Sequence, residues 1–467
     1  MKTGLVWFKN DLRLHDNEAL CNAISNCDAL VLFFSVEPHL FKQLNLGFRK
    51  AGINRFKFLE QSINNLKKKL EAIGGHLIIS SLSAVVEIPK LVAKFGITTI
   101  YAEEEYAQEE LAIKAKVIEQ LPNVEFNFYW GKTLYHINDI PFTIATIPLT
   151  SKAYRIPTSK ESEPRETFNV PENIVSHLKA VSTKFPSYKN YDFTEEEFKT
   201  VEPFLEGGED EALNRLRYYT FESELLTGYR WSRNKSLGLD YSSKFSAYLA
   251  LGCISPRLIF EAVKEYEKKI KKNQSTWWII FELVWRDYFT FKGIKMGNAI
   301  FHTKGYKNKD VAFKNDKKKF NKWKEGKTGI PFIDAHMRQL NKTGYMSNRG
   351  RVNCASYFVH DLNINWTFGA AYFETKLIDY DVSANWMNWH MQAFDIYYTN
   401  PVHQSLKYNA NEYIAKWVPE LSKIKDNKIH APWLFEDLVA TTNYLKPIEV
   451  YKKWTRATNR ILKTLEN

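Results

Sequence analysis

G-L-V-W-F at residues 4–8, A-L-V-L-F-F-S-V at 29–36, H-L-I-I-S at 76–80 and T-T-I-Y-A at 98–102 are four short apolar runs, each closed by turn-forming or polar residues. Their length and their β-branched and aromatic content read as buried strands. Between them lie stretches of helical periodicity, among them residues 54–73, with Lys67, Lys68 and Lys69 on an outer face, and Gln108–Gln120. Strands alternating with helices predict a parallel sheet with right-handed crossovers. No G-x-G-x-x-G or G-x-x-x-x-G-K follows the first run, so neither a dinucleotide fingerprint nor a P-loop is supported. Ligands of such sheets sit beyond the carboxyl ends of the strands, which makes K-N-D-L-R-L-H-D-N at 9–17 a candidate lip.

Periodicity is lost after residue 130. Seven prolines punctuate residues 131–205, which read as a long connector lying on the surface of both domains. Beyond Gly207-Gly208 the pattern is helical and strand-like runs are absent. The expected architecture is an α/β domain at 1–130, a connector at 131–205 and an all-α domain at 206–467. A last helix is expected at 448–465 with two residues beyond it, which disfavours a switch driven by a long tail.

Composition is globular, with 44% hydrophobic and 25% charged residues. The aromatic share is high at 15%, which suits a planar ligand or unstacked bases as well as core packing. Cys21, Cys27, Cys253 and Cys354 lack metal-site or redox spacing, so neither a disulfide framework nor a metal centre is indicated. With no apolar run of membrane length and no leader-like N-terminus, a soluble cytoplasmic protein is expected. Residues 1–130 carry 15 groups of each sign, so the whole excess of +12 falls on 131–467. That asymmetry fits a basic face meeting a polyanion. Ten lysines crowd residues 304–327; a solvated lysine loop explains that patch equally well.

Three segments carry candidate chemistry. Asn348 and Arg351 are three apart and share a helix face. Asp379 and Asp381 suit a turn, and Asp381 would cap the helix that carries Asn385 and Trp389. These residues read either as a structural ion pair in a helical core or as a polar site within it. Ser242, Ser243, Lys244 and Ser246 stand where a helix begins, an arrangement apt for a pyrophosphate, though serines also simply cap helices. Trp278, Glu282 and Trp285 fall on one face of a helix over residues 276–291. A carboxylate between two indoles needs a partner, which is either Arg286 or a ligand.

W-F-K-N-D-L-R-L-H-D-N (7–17), Y-S-S-K-F-S-A-Y-L-A-L-G-C-I-S-P-R (241–257), F-E-L-V-W-R-D-Y-F (281–289), T-G-I-P-F-I-D-A-H-M-R-Q-L-N-K-T-G-Y-M-S-N-R-G-R (328–351) and L-I-D-Y-D-V-S-A-N-W (377–386) together resemble the photolyase/cryptochrome superfamily over essentially the whole chain. The G-Y-M-S-N-R-G-R and D-Y-S-S-K-F-S variants are most similar to its DASH branch. The resemblance implies a Rossmann-like antenna-type domain and a helical FAD-binding domain in a monomer. It also implies light-driven splitting of cyclobutane pyrimidine dimers, chiefly in UV-damaged single-stranded DNA, by an electron from reduced flavin. The alternative it leaves is a blue-light photoreceptor without repair activity.

By the same resemblance, Tyr229, Ser242, Ser243, Lys244, Phe245 and Ser246 would hold the FAD phosphates and their surroundings. Glu282 and Arg286 would contact cofactor or lesion, and Asn348, Arg351, Asp379 and Asp381 would surround the flavin, with Asn385 facing its N5. Trp285, Asn348 and Met391 would meet the lesion, and Glu110 would bind an antenna folate such as methenyltetrahydrofolate. Trp389 and Trp366 match the first two tryptophans of the family's electron path. The outer position falls on Phe313, which is hard to oxidise, so Tyr306, Trp323 or another aromatic is the expected exit. Met391 stands where an aromatic residue is usual, and it stacks on a base less specifically.

Overall fold

The computed structural model describes residues 1–176, 180–395 and 398–463. Strands β1 (Thr3–Phe8), β2 (Ala29–Ser35), β3 (Leu77–Ser80), β4 (Thr99–Glu103) and β5 (Glu125–Tyr129) form one sheet in the order β3-β2-β1-β4-β5, every pair parallel. The four expected strands recur with ends shifted by a residue. The fifth was not foreseen: E-F-N-F-Y is half-exposed at the sheet edge and lacks a continuous apolar run. Along β1, Leu5 and Trp7 pack under α3 (Ala84–Phe95) and α4 (Gln108–Gln120), while Val6 and Phe8 face α1 (Glu18–Asn26) and α2 (Ile53–Ala72). That alternation is the period-two consequence of a pleated strand covered on both sides.

The connector is more ordered than its prolines suggest. It contains α5 (Ser151–Glu161), with Pro157 inside it, and α6 (Glu195–Thr200). Tyr154 of α5 is fully buried and lies 5.5 Å from the Tyr288 ring, so apolar burial offsets the cost of an interior proline.

The second part is helical throughout. In order come α7 (Glu209–Arg217), α8 (Tyr229–Ser232), α9 (Phe245–Ala250), α10 (Pro256–Lys269), α11 (Gln274–Met296), α12 (Lys317–Lys324), α13 (Pro331–Thr343), α14 (Asn348–Ser356), α15 (Trp366–Lys376) and α16 (Val382–Phe394). Four shorter helices follow, ending in Thr455–Lys463. The last helix is therefore shorter than the expected 448–465, whose end lies outside the described residues. Among the described residues no helix is long and apolar enough to cross a membrane.

Residues 9–17 are only partly the lip they were expected to be. Lys9, Asn10 and Arg13 do line cavities, but His15 and Asp16 belong to a buried polar joint. Arg257 grips Asp16 through Nε (2.9 Å) and Nη2 (2.5 Å). Glu209 accepts from the backbone N–H groups of Leu14 and His15, both at 3.0 Å, from the His15 ring, and from Lys69 at 3.0 Å. Gly252 (φ +65°) explains how tightly the parts approach: a Cβ there would lie 1.8 Å from the Asn10 carbonyl oxygen, so only glycine fits.

Candidate functional site

A cavity of about 290 Å³ opens in the helical part, joined to an inner lobe of about 110 Å³. Asn348, Arg351, Asp379, Asp381, Ala384 and Asn388 line both, so the two lobes adjoin at these residues. The outer lobe is lined by Tyr229 of α8, by Ser242, Ser243 and Lys244 before α9, by Phe245 and Ser246 within it, and by Glu282, Trp285 and Arg286 of α11. Asn385 and Trp389 line the inner lobe.

Residues 348–389 contain the ion pair and also line the cavity. Arg351 Nη2 binds both oxygens of Asp379, at 2.9 and 2.7 Å, and Ser246 Oγ donates to the same carboxylate at 2.7 Å. This satisfied pair forms the cavity wall. Asp381 caps α16, its Oδ1 accepting from Ala384 N at 2.8 Å, and its Oδ2 lies 3.6 Å from Arg286. Arg286 thus pairs with Asp381 and not with Glu282. Glu282 instead meets Arg233 Nη1 and Trp278 Nε1, both at 2.9 Å. Burial still raises its carboxyl above the usual range against the pull of Arg233. Asn385 is nearly buried and donates through Nδ2 to Ala370 O at 3.1 Å.

Lys244 is the unbalanced group. It adopts a left-handed backbone (φ +66°) at the N-cap of α9 and is 2% exposed. Its Nζ donates to Ser242 Oγ at 2.7 Å and sits 3.3 Å from the Tyr241 ring centre. Among the described residues no carboxylate forms an ion pair with it. Burial, and then Arg215, lower its pKa to about 6, with Asp240 opposing. A buried amine with hydroxyls and no anion is a site that lacks its counter-charge. The donor set and the rings of Tyr229, Phe245, Trp285 and Tyr345 suit a dinucleotide of FAD type.

Residues 278–464 match the family profile described as FAD binding domain of DNA photolyase, and residues 4–172 match that described as DNA photolyase. Cryptochrome DASH of Synechocystis sp. is 41% identical over 448 residues, spanning 92% of this chain and 90% of that protein. Cryptochrome DASH of Xenopus laevis is 39% identical over 476 residues, spanning 97% and 90%. The chain belongs to the cryptochrome DASH family.

The DASH-family assignment extends to structure. The crystal structure of Synechocystis sp. cryptochrome superposes with a TM-score of 0.91 at 37% identity, covering 99% of each chain. A bacterial class III photolyase from Agrobacterium tumefaciens, 24% identical with a TM-score of 0.84 over 100% of this chain and 97% of that one, shares the fold.

In this DASH-family chain Trp389 is buried against Phe373 (5.1 Å) and Phe358 (5.7 Å). It also lies on Gly369, one turn along α15 from the fully buried Trp366. Trp366 is 6.0 Å from His390, on which Tyr306 stacks at 3.8 Å. Phe313 is half-exposed at the edge of the core. Trp323 is 6.1 Å from Trp389 but wholly buried, so of the two named exits only Tyr306 approaches solvent. Met391 does not line the cavity. It packs half-buried against the core, although Asn388 and Gln392 of the same helix line the inner lobe.

Glu110 lies elsewhere, on a separate cavity of about 430 Å³ where the sheet meets the helical part. Burial and the neighbouring Glu105 raise its carboxyl above the usual range. Three contributors were missed. Tyr345, inside the G-Y-M-S-N-R-G-R block, was available to be named. Arg233 was visible only as part of a basic, aromatic stretch. Arg215, which holds the 239–243 loop through the carbonyls of Ser242 and Ser243, both at 3.0 Å, gave no sequence signal.

Proposed function

We propose that this chain is an FAD-dependent, blue-light-driven DNA photolyase of the DASH type that splits cyclobutane pyrimidine dimers in single-stranded DNA. The observation that carries the reading is the two-lobed cavity itself, with a buried amine that lacks a counter-charge in its wall and Glu282 and Trp285 on the same surface. When bound, FAD would supply blue-light absorption and a one-electron donor. Lys244, with Ser242, Ser243 and Ser246, would neutralise and hold its phosphates. The Arg351–Asp379 pair holds the wall where the two lobes adjoin. Ala370 fixes the Asn385 amide, leaving its oxygen as the group available to a ring N–H.

Photolyases as a class take the target nucleotide out of the stack. Glu282, held by Arg233 and Trp278, is suited to accept from a base N–H, and Trp285 offers a ring face. The basic excess of residues 131–467 would hold the DNA backbone. The second cavity shares Leu249, Ala250, Arg286 and Asp381 with the first. A folate antenna held by Glu110 would therefore neighbour the FAD.

The test is illumination of reduced, flavin-loaded protein with an oligonucleotide carrying one dimer. Restoration of the bases on a single strand is expected. Photoreduction without repair on either single or double strands would instead establish the photoreceptor reading, which Met391 and Phe313 favour.

A further inference from the structure

Lys292 of α11 is a second buried amine, and among the described residues no carboxylate forms an ion pair with it. Its Nζ donates to Leu149 O at 2.9 Å and lies 2.8 Å from the Tyr306 hydroxyl oxygen. The Leu149 carbonyl can only accept, whereas a hydroxyl meets an amine as acceptor or as donor. Charged, Lys292 donates to Tyr306; neutral, it has a lone pair for the phenolic hydrogen. The Tyr306 ring lies flat on His390, 15° from parallel with centres 3.8 Å apart. Gly305 (φ +60°) permits this approach, since a Cβ there would collide with the His390 ring, so the position needs glycine. His390 is fully buried, and neither of its ring nitrogens has a hydrogen-bond partner among the described residues. Burial lowers its pKa to about 4, so the imidazole is neutral. On its other side Trp366, also fully buried, stands edge-on at 6.0 Å.

The series Trp366, His390, Tyr306 therefore runs from the core to a half-exposed phenol and ends on an amine. A phenol gives up an electron readily only when its proton leaves too, and a base within hydrogen-bond reach serves that transfer. We propose that Lys292 takes the phenolic proton of Tyr306 as Tyr306 gives an electron to oxidised Trp366. A Trp366 radical cation, a phenol and a neutral amine become a neutral indole, a phenoxyl radical and an ammonium, so charge and electrons balance. The oxidant of Trp366 is the illuminated flavin, acting through Trp389. The proposal thus deepens, and rests on, the FAD part of the proposed function and is independent of repair. A soluble thiol returns a hydrogen atom to the half-exposed phenoxyl, and Lys292 releases its proton to solvent. Lys292 accepts only when neutral. Burial lowers its pKa to about 8; Asp395, just past α16, opposes this, and Lys307 and Lys295 add to it.

The experiment excites flavin-loaded protein with a blue flash, with a thiol and without DNA, and follows the indole and phenoxyl radicals by transient absorption. The rate of phenoxyl formation should rise roughly tenfold between pH 7 and 9, tracking the neutral fraction of the amine. Decay of the indole radical should slow in D2O. Lys292→Met should stay at or below the wild-type pH 7 rate throughout. Lys292→Arg keeps the charge and cannot lose its proton, so it should be equally slow and flat. Tyr306→Phe should abolish the phenoxyl signal. A wild-type rate independent of pH, or a pH step retained in Lys292→Met, would overturn the proposal. The wild-type profile decides alone should Lys292→Met fail to fold. Repair measured in parallel separates the two ideas: repair without the pH step removes the proton acceptor alone, and the pH step without repair removes only the lyase reading. A chain that takes up no FAD would overturn both.

Discussion

Replacing Lys244 by methionine keeps the length of the side chain and removes its amine, and the expected consequence is loss of a proton taken up when FAD binds. Without an anion beside it, the amine has a pKa of about 6, burial being the main cause. Its unfolded value is 10.5. Between these limits the unfolded chain binds the extra proton, so the flavin-free protein gains stability as pH rises from 6 to 10.5. At pH 7 the neutralised lysine costs on the order of 4–5 kcal/mol, at 1.36 kcal/mol per pKa unit. A pyrophosphate that restores the charge reverses this, so affinity for FAD should fall close to tenfold per pH unit from about 7 to 9. The assay is titration calorimetry of flavin-stripped protein at pH 8 in two buffers of different ionisation enthalpy. Uptake of close to one proton is expected for wild type and close to none for Lys244→Met. The methionine variant should also be the more stable protein when flavin-free. Equal proton uptake by both proteins, or none by wild type, would refute the placement of the phosphates beside Lys244.

Burial opposes ionisation of Glu209, but His15 and Lys69 hold its carboxyl down to about 2, so its contribution is present above pH 4.5 and lost as pH falls toward 2. Glu209→Gln should cost about 3–4 kcal/mol at pH 7 and flatten the acid limb of the urea midpoint; an unchanged limb would place acid sensitivity elsewhere. Gly369→Ala puts a Cβ 2.2 Å from the Trp389 ring, so a loss of about 1–3 kcal/mol is expected, read as a fall in melting temperature, and a neutral result would show that α15 can shift. Tyr306→Phe should slow flavin photoreduction under blue light more than Phe313→Trp speeds it, because Tyr306 already stacks on the His390 that neighbours Trp366; an unaltered rate would put the exit elsewhere.

The α/β part was legible because its strands are buried on both faces and therefore spell continuous apolar runs, as in V-L-F-F at 31–34. The edge strand Glu125–Tyr129 was not, since a half-exposed strand spells nothing continuous. The motifs for the cavity were legible as residue types at helical spacing. Asp381 as a cap and Asn348 with Arg351 on one face are short-range facts, settled within four residues. Pairing across elements was not: Glu282 could have met Arg286 four residues on, and the fold gave it Arg233 at the end of α8 instead.

Local order, helix caps, the parallel sheet and the family are properties of neighbouring residues and were determined by the sequence itself. Which charge meets which, that Lys244 is left without a counter-charge, that residues 9–17 lock the two parts together and that Met391 is not among the residues lining either lobe were decided only by tertiary structure. Desolvation and ion pairing depend on distances between segments remote in the chain, and no spacing along the sequence encodes those distances.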